Sequence, residues 1–398
     1  MSRLDPTPFA ALPGFRQLHQ TLEADAGQTR LVGGAVRDHL LGQPLADVDL
    51  ATRFSPQEVM ARLQQAGIRS IPTGIAHGTI TAIAQGAPYE VTTLRCDVKS
   101  FGRHAEIAFT DDWRQDAARR DFTLNALYAD PISGELFDFF GGLADLARRH
   151  VRFIGDPLQR IAEDHLRILR FFRFTARFAP QPDADGLAAC AARANDLMAL
   201  SRERIRDELL KLLGLPDPAP TVAVMLQRAI LRPVLPEIAA EAAARLQRLV
   251  AAEAAAGVAA DGLRRLAALL PRDPEVAASI AGRLKLSNAA RRRLQGTAEA
   301  EPVPKDPRAL AYRIGGAATL DRLLLDGDPR AGQWTGPLRD YQPPRLPVSG
   351  RDLIAMGVVP GPEVSRGLAE VERRWIDSGF PAPREQVLAI ARGVLGLR

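Results

Sequence analysis

Two aspartates one residue apart, Asp47 and Asp49, are the side chains of this sequence best suited to chemistry. On an extended strand, residues two apart project to the same face, about 6–7 Å from one another. Carboxylates so placed repel each other unless a cation lies between them. Hard oxygen donors on a fixed strand suit Mg2+, which takes one or two protein carboxylates, keeps several waters and shares phosphate oxygens of a substrate. Upstream, Gly33 and Gly34 follow the apolar pair Leu31 and Val32 and open a short helical segment, Ala35–Leu41. Glycines let the backbone approach an anion closely, and the helix behind them aims its free N–H groups at it. Phosphate and metal would then meet in one place. A third acid, Glu90, falls out of phase with Tyr89 and Val91 on a strand-like run, and would complete the carboxylate cluster that a two-metal site needs.

Two further constellations are charged. Arg119, Arg120, Asp121 and Asn125 crowd the stretch Asp111–Leu127 beside Phe122, Leu124, Ala126 and Leu127. Unpaired charge next to a core is costly, so these groups pair with one another or a ligand completes them. Farther on, Asp164, Arg167 and Phe171 lie three and four apart in a helical pattern and would share a face. Taken alone, an Asp164–Arg167 pair reads as a surface ion pair worth under about 1 kcal/mol.

The elements that must carry these groups follow from periodicity. Residues 1–28 form a helical lead-in, with Phe9, Leu12, Phe15, Leu18 and Leu22 at helical spacing. Leu31–Thr52 reads as strand, glycine turn, helix ending at Gly42, and a second extended run holding Asp47 and Asp49. Ser55 caps a helix over Pro56–Ala66. His77–Ala84 and Tyr89–Arg95 are strands joined as a hairpin. Cys96–Thr110 is polar, carries Gly102 and reads as a mobile loop. Asp156 caps a helix that runs from Pro157 to about Phe178. Another capped amphipathic helix starts at Ser201, and Pro216–Pro220 marks a boundary. Residues 221–296 are alanine- and arginine-rich with helical periodicity, Glu301–Pro307 interrupts them, and a further helical block ends before Pro347. The fold class is α+β: an N-terminal mixed sheet followed by an all-helical remainder.

Composition bounds the rest. A chain of 398 residues exceeds one core, so about two to four units are expected. No apolar run of about 18 residues occurs, so no membrane span is expected, and the N-terminus lacks the pattern of a secretory signal. Cys96 and Cys190 are too few and too far apart for a disulfide framework or a zinc knuckle, which fits a reducing cytoplasm. The net charge of +5 suits a polyanionic partner. Only four of the 52 basic residues are lysine, and arginine is the residue adapted to bidentate phosphate contact. A dinucleotide-binding oxidoreductase is disfavoured, because no third glycine stands at the G-x-G-x-x-G spacing.

The string GGAVRD followed by DVD resembles the signature of nucleotidyltransferases of the DNA polymerase β type, and in detail that of the class II tRNA nucleotidyltransferase and poly(A) polymerase family. RRDFTLNAL resembles the family's second motif. The resemblance implies nucleotide contact for Arg120, a ribose association for Asp121, and a place beside them for Asn125. Phe137–Leu146 resembles the glycine-bearing connector between head and neck. The family's EDxxR motif falls on Glu163, Asp164 and Arg167, with further nucleotide-contacting arginines carried onto Arg170 and Arg173. Gly33, Gly34 and Arg37 would hold phosphates, with Asp38 orienting Arg37. Arg204 and Arg206, in the last neck motif, are structural rather than catalytic. The resemblance implies four segments: a catalytic head over residues 1–140, a base-recognising neck over 141–215, a helical body over 216–300 and a tRNA-binding tail over 301–398.

The implied reaction is template-independent. Cytosine and adenine each present an amino donor beside a ring-nitrogen acceptor, whereas uracil and guanine present the inverse order. A carboxylate that accepts from the amine and a guanidinium that donates to the ring nitrogen therefore select C and A together. Addition of CMP, CMP and AMP from CTP and ATP to the tRNA 3′ end, with Mg2+ held by Asp47 and Asp49, is the expected activity. A-adding, CC-adding and poly(A)-polymerase relatives share the head motifs and stay open on sequence alone. A non-catalytic RNA-binding protein is a different class of reading, disfavoured by retention of both Asp47 and Asp49.

Overall fold

The computed structural model describes residues 3–45, 47–101, 104–381 and 383–396. Its N-terminal region holds a seven-stranded mixed sheet. The strands are β1 (Thr29–Val32), β2 (Asp49–Thr52), β3 (Arg69–Gly74), β4 (Thr79–Ala84), β5 (Ala87–Thr93), β8 (Leu127–Ala129) and β9 (Leu136–Asp138), in the order β3-β4-β5-β2-β1-β8-β9. β2 and β5 pair in parallel, with Asp49 opposite Glu90, while β1 lies antiparallel to both β2 and β8. Period-two burial explains β4 and β5. Ile80, Ala82 and Ala84 on one strand and Tyr89, Val91 and Thr93 on the other are buried, so Glu90 faces the opposite side. The two strands meet at Gln85 and Gly86, both at positive φ, the two-residue turn that matches strand twist.

Helices α1 (Thr7–Ala10) and α2 (Phe15–Thr21) precede the sheet. The expected continuous lead-in helix is broken at Gly14, whose φ is +68° and where a Cβ would stand 2.6 Å from that of Ala84. Only glycine fits a backbone that turns so close to the sheet. Helix α3 (Gly34–Leu40) follows the glycine turn. Helix α4 (Pro56–Gln65) starts with a capping box between Ser55 and Glu58, as the sequence signals.

Two elements differ from what local periodicity and polarity predict. The segment Cys96–Thr110 is not a loop: β6 (Arg95–Phe101) and β7 (His104–Phe109) pair as an antiparallel hairpin. Gly102, which suggested mobility, lies outside the described residues. After α5 (Trp113–Ala118) and α6 (Gly142–Ala147), the helix expected over residues 157–178 proves to be two, α7 (Pro157–Glu163) and α8 (Arg167–Phe178). Asp164 breaks it, with an extended backbone (φ −148°, ψ 105°) and a carboxylate that accepts the Leu166 N–H at 3.1 Å. Aspartate offers its own side chain as a hydrogen-bonding alternative to the helix ladder, and here that alternative wins. Helices α9 (Ala184–Ala192) and α10 (Arg202–Leu213) complete this region.

The chain forms two compact units, Met1–Leu212 with Thr221–Val234, and Leu213–Pro220 with Leu235–Arg398. The second is helical and carries a buried ionic network. Glu253 accepts from Arg264 (2.7 Å) and Arg265 (2.8 Å), and Asp321 accepts from Arg264 (2.7 Å) and Arg293 (2.6 Å). Nearer the C-terminus, Trp375 is buried with Val348, Val371, Val387 and Ala391. Among the described residues, no helix is long and apolar enough to cross a membrane.

Candidate active site

The acid pair sits at the head of β2. Asp49 is its first residue and is partly buried, whereas Asp47 lies just ahead of the strand and is exposed. The two acids alternate with buried Val48 and Leu50 and line one cleft, although only Asp49 lies within the strand. The partner that strand pairing does supply is Glu90, in register with Asp49 across the parallel β2–β5 ladder. Burial first, and then the carboxylates of Glu90 and Asp47, push Asp49 up to about 6, against the opposing pull of Arg120. These acids line a cleft together with Leu45, Thr81 and Tyr89. Among the described residues no three His, Cys, Asp or Glu side chains converge closely enough to hold a metal by themselves. A site of carboxylate oxygens carrying surplus negative charge, with few protein ligands, fits a hard divalent cation that also takes water and phosphate.

Gly33 has φ +65° and ψ −118°, a conformation that a side chain would strain, and it carries the chain from β1 into α3. Two arginines converge on this turn. Nη1 of Arg120 lies 3.5 Å from where a Cβ on Gly33 would stand, and Nη2 of Arg37 lies 3.7 Å from the equivalent point on Gly34. Arg37 is only 5% exposed. Its Nε donates to Asp38 at 2.8 Å and its Nη1 to the Asn125 side-chain oxygen, so Asp38 does orient it.

From Arg37 a continuous chain of hydrogen bonds leads into the neck helices. Asn125 donates to Asp121 at 3.0 Å, and Asp121 accepts Arg170 Nε at 2.7 Å, with Nη2 of the same guanidinium 2.5 Å away in the ion pair. Arg170 lies 3.9 Å from Glu208, which accepts Arg173 Nε at 2.6 Å. Burial alone would raise Asp121, yet Arg170 and the hydrogen bonds from Asn125 and Phe122 hold it below the usual carboxylate range. Five residues singled out in the sequence, Arg37, Asp121, Asn125, Arg170 and Arg173, thus belong to one network.

The Arg167 backbone N–H donates to the Asp164 carbonyl at 3.0 Å, but the two side chains take different partners. Asp164, half-buried at the helix break, accepts Arg204 at 2.9 Å. Arg167 donates to Glu163 (2.6 Å), to the Arg160 carbonyl (2.8 Å) and to the Arg119 carbonyl (2.8 Å). The helix restarts between them, so the regular i,i+3 geometry of one continuous helix does not apply to the pair.

Sequence reasoning missed three residues. Asp116, 1% exposed, accepts from Arg119 (2.8 Å), Arg120 (3.0 Å) and the Tyr128 hydroxyl (2.6 Å). Its spacing of three and four from the two arginines was a usable signal. Tyr128 and Glu208 join their partners only through the fold, and nothing local marks them.

Comparison with known proteins places these features. The family described as "Poly A polymerase head domain" matches residues 29–152, and that described as "Probable RNA and SrmB- binding site of polymerase A" matches residues 181–241. The chain is 34% identical over 392 residues to the mitochondrial CCA tRNA nucleotidyltransferase 1 of Mus musculus, covering 94% of this chain and 89% of that one. It is 31% identical over 403 residues to the CCA-adding enzyme of Lacticaseibacillus paracasei, covering 98% of both. Its fold is similar to that of the Bacillus stearothermophilus CCA-adding enzyme solved in complex with CTP, with a TM-score of 0.77 at 28% identity over 98% of this chain and 97% of that one. The Thermotoga maritima CCA-adding enzyme, solved with tRNA, shares the fold with a TM-score of 0.66 at 19% identity, over 99% and 97% of the two chains.

Proposed function

Since the chain belongs to the CCA tRNA nucleotidyltransferase and poly(A) polymerase family, we propose that it completes the 3′ end of tRNA, adding CMP, CMP and AMP from CTP and ATP without a nucleic-acid template. The observation that carries this reading is the unbroken hydrogen-bonded chain from Arg37 at the glycine turn, through Asn125 and Asp121, to Arg170 in the neck. It links a place for phosphates to a place for the base, as an enzyme must when protein alone chooses the nucleotide.

Enzymes of this family are metal-dependent. Asp47 and Asp49 are the residues to hold Mg2+, with Glu90 beside them; bound there, the cation supplies charge that lowers the pKa of the attacking hydroxyl and neutralises the triphosphate. The tRNA 3′-oxygen attacks the α-phosphorus in line, and pyrophosphate leaves. The Gly33–Gly34 turn, Arg120 Nη1 and Arg37 Nη2 receive phosphate oxygens. Asp164 accepts the exocyclic amine of C or A. Arg167 donates to the ring nitrogen through an N–H not engaged by Glu163 or by the carbonyls of Arg119 and Arg160, which hold its guanidinium in place.

The test is to supply a tRNA lacking its 3′ end with all four nucleotides and sequence the products. Addition of C, C and A followed by arrest is expected. Long A tails on RNA that is not tRNA-shaped would establish polyadenylation instead, and no incorporation with RNA binding intact would establish the non-catalytic reading.

A further inference from the structure

The guanidinium of Arg120 is held at two of its three nitrogens. Nη2 donates to Asp116 Oδ2 at 3.0 Å, and Nε donates to the Tyr128 hydroxyl oxygen at 3.2 Å. The Tyr128 hydroxyl in turn donates to the same Asp116 oxygen at 2.6 Å, closing a three-membered ring of partners. The other oxygen of Asp116 accepts Arg119 Nε at 2.8 Å and the Arg95 backbone N–H at 3.2 Å, so the carboxylate has no free bonding capacity to exchange. A planar guanidinium fixed at two corners has its third corner fixed as well. That third corner is Nη1, which stands at the Gly33 turn and has no hydrogen-bond partner among the described residues. Asp49, in the acid cluster, feels the charge of Arg120.

We infer that Tyr128 and Asp116 are positioning residues, which clamp Arg120 so that Nη1 is presented to the triphosphate of the incoming nucleotide at the Gly33 turn. Neither residue touches substrate, and the inference rests on the reading of Arg120 as a nucleotide contact.

The elements around the clamp explain why it is rigid. Tyr128 is fully buried on β8, paired with Val32 of β1 one residue before Gly33, and its ring packs edge-on to Trp113 at 5.4 Å and to Phe139 at 6.1 Å. Asp116 and Arg120 both come from α5 and its end. A strand next to the glycine turn is therefore tied to the helix that carries the arginine. The protons stay put as well. Burial pushes the Tyr128 phenol up, and although burial would also raise Asp116, the adjoining guanidiniums hold it well below the carboxylate range. A flexible arginine side chain loses substantial rotamer freedom on meeting a ligand. Holding it beforehand removes that cost from each binding event.

Tyr128→Phe is the informative variant, because it keeps the ring packing and removes one oxygen. Wild type first establishes incorporation of CMP and AMP; its failure to incorporate would sink the functional reading itself, independently of the clamp. Given an active wild type, Tyr128→Phe is expected to raise the KM for CTP and for ATP by a common factor of about tenfold, the scale of one hydrogen bond on a charged group. The tRNA KM and the preference for C and A over U and G stay unchanged, because triphosphate is common to all nucleotides. A general loosening of the fold would move all of these together. In an Arg120→Ala background the same Tyr128→Phe change is expected to cost nothing more. An unchanged nucleotide KM, or an effect of equal size with and without Arg120, would overturn the inference. Should Tyr128→Phe fail to fold, Arg120→Lys decides, since lysine keeps the charge but cannot span the clamp and the turn at once. It is expected to show the same common rise in KM, and wild-type KM values would refute the clamp.

Discussion

Replacing Asp121 by asparagine preserves shape and removes a charge from the middle of the network, so its consequences can be worked from the geometry. The carboxylate accepts Arg170 Nε at 2.7 Å, Asn125 at 3.0 Å and the Phe122 N–H at 2.9 Å, and forms an ion pair with Arg170 at 2.5 Å. Removing one partner of a fully buried ion pair costs about 3–5 kcal/mol. Arg170 is 32% exposed at its side chain and has Glu208 at 3.9 Å, so water and a second carboxylate take up part of that loss. The expected cost is about 2 kcal/mol, which lowers the melting transition of the N-terminal unit by roughly 4–8 °C. Released from Asp121, Arg170 no longer stands ready for nucleotide, and kcat/KM for both CTP and ATP falls by about tenfold. A double-mutant cycle with Arg170→Gln should return a coupling of about 1.5 kcal/mol. The pH dependence carries a sign. A carboxyl held below its unfolded value adds stability above about pH 3.9 and loses it as pH falls through the folded value. The gap in melting temperature between wild type and Asp121→Asn should therefore close on acidification below about pH 4. Unchanged melting and unchanged kcat/KM in Asp121→Asn, or a coupling near zero, would show that Asp121 and Arg170 are neighbours without energetic connection.

Other expectations follow from the same geometry. Asp49→Asn, and equally Asp47→Asn, should abolish incorporation while leaving circular dichroism and melting intact; near-normal turnover of either folded variant in Mg2+ would remove the metal assignment. Arg167→Ala should lower selectivity for C and A over U and G by roughly tenfold to a hundredfold, read from competing incorporation at a temperature where the variant is folded. In the second unit, Glu253→Gln leaves Arg264 and Arg265 without their common carboxylate and should cost about 3–5 kcal/mol in denaturant unfolding, with no effect attributable to the chemical step. Removing residues 345–398 should weaken tRNA binding more than it slows chemistry at saturating tRNA. The contribution has to come from surface groups such as Arg373 and Arg374, because Trp375 is buried and its indole N–H is committed to the Pro381 carbonyl.

Local pattern determined a good deal of this protein. Alternation of apolar residues produced β4 and β5, two residues with positive φ produced their turn, and Ser55 with Glu58 produced the start of α4, because each depends on neighbours within a few positions. The glycine turn, the acids and the arginines of the second motif were legible for the same reason, and the resemblance carried by those short strings pointed to the family. Local pattern misled where a side chain could bond its own backbone: periodicity alone runs a helix through Asp164, and the aspartate stops it. It misled again at Cys96–Thr110, where polarity resembles a loop and cross-strand pairing makes a hairpin.

Tertiary structure alone decided which charges meet. Glu90 reaches Asp49 through the parallel register of β2 and β5, Arg173 reaches Glu208 across 35 residues, and Asp164 pairs with Arg204 rather than Arg167. Electrostatic partners are chosen by distance in space under low dielectric, where a buried charge must find a counter-charge wherever the fold supplies one. Spacing along the chain identifies the groups that need partners, and only the folded chain assigns them.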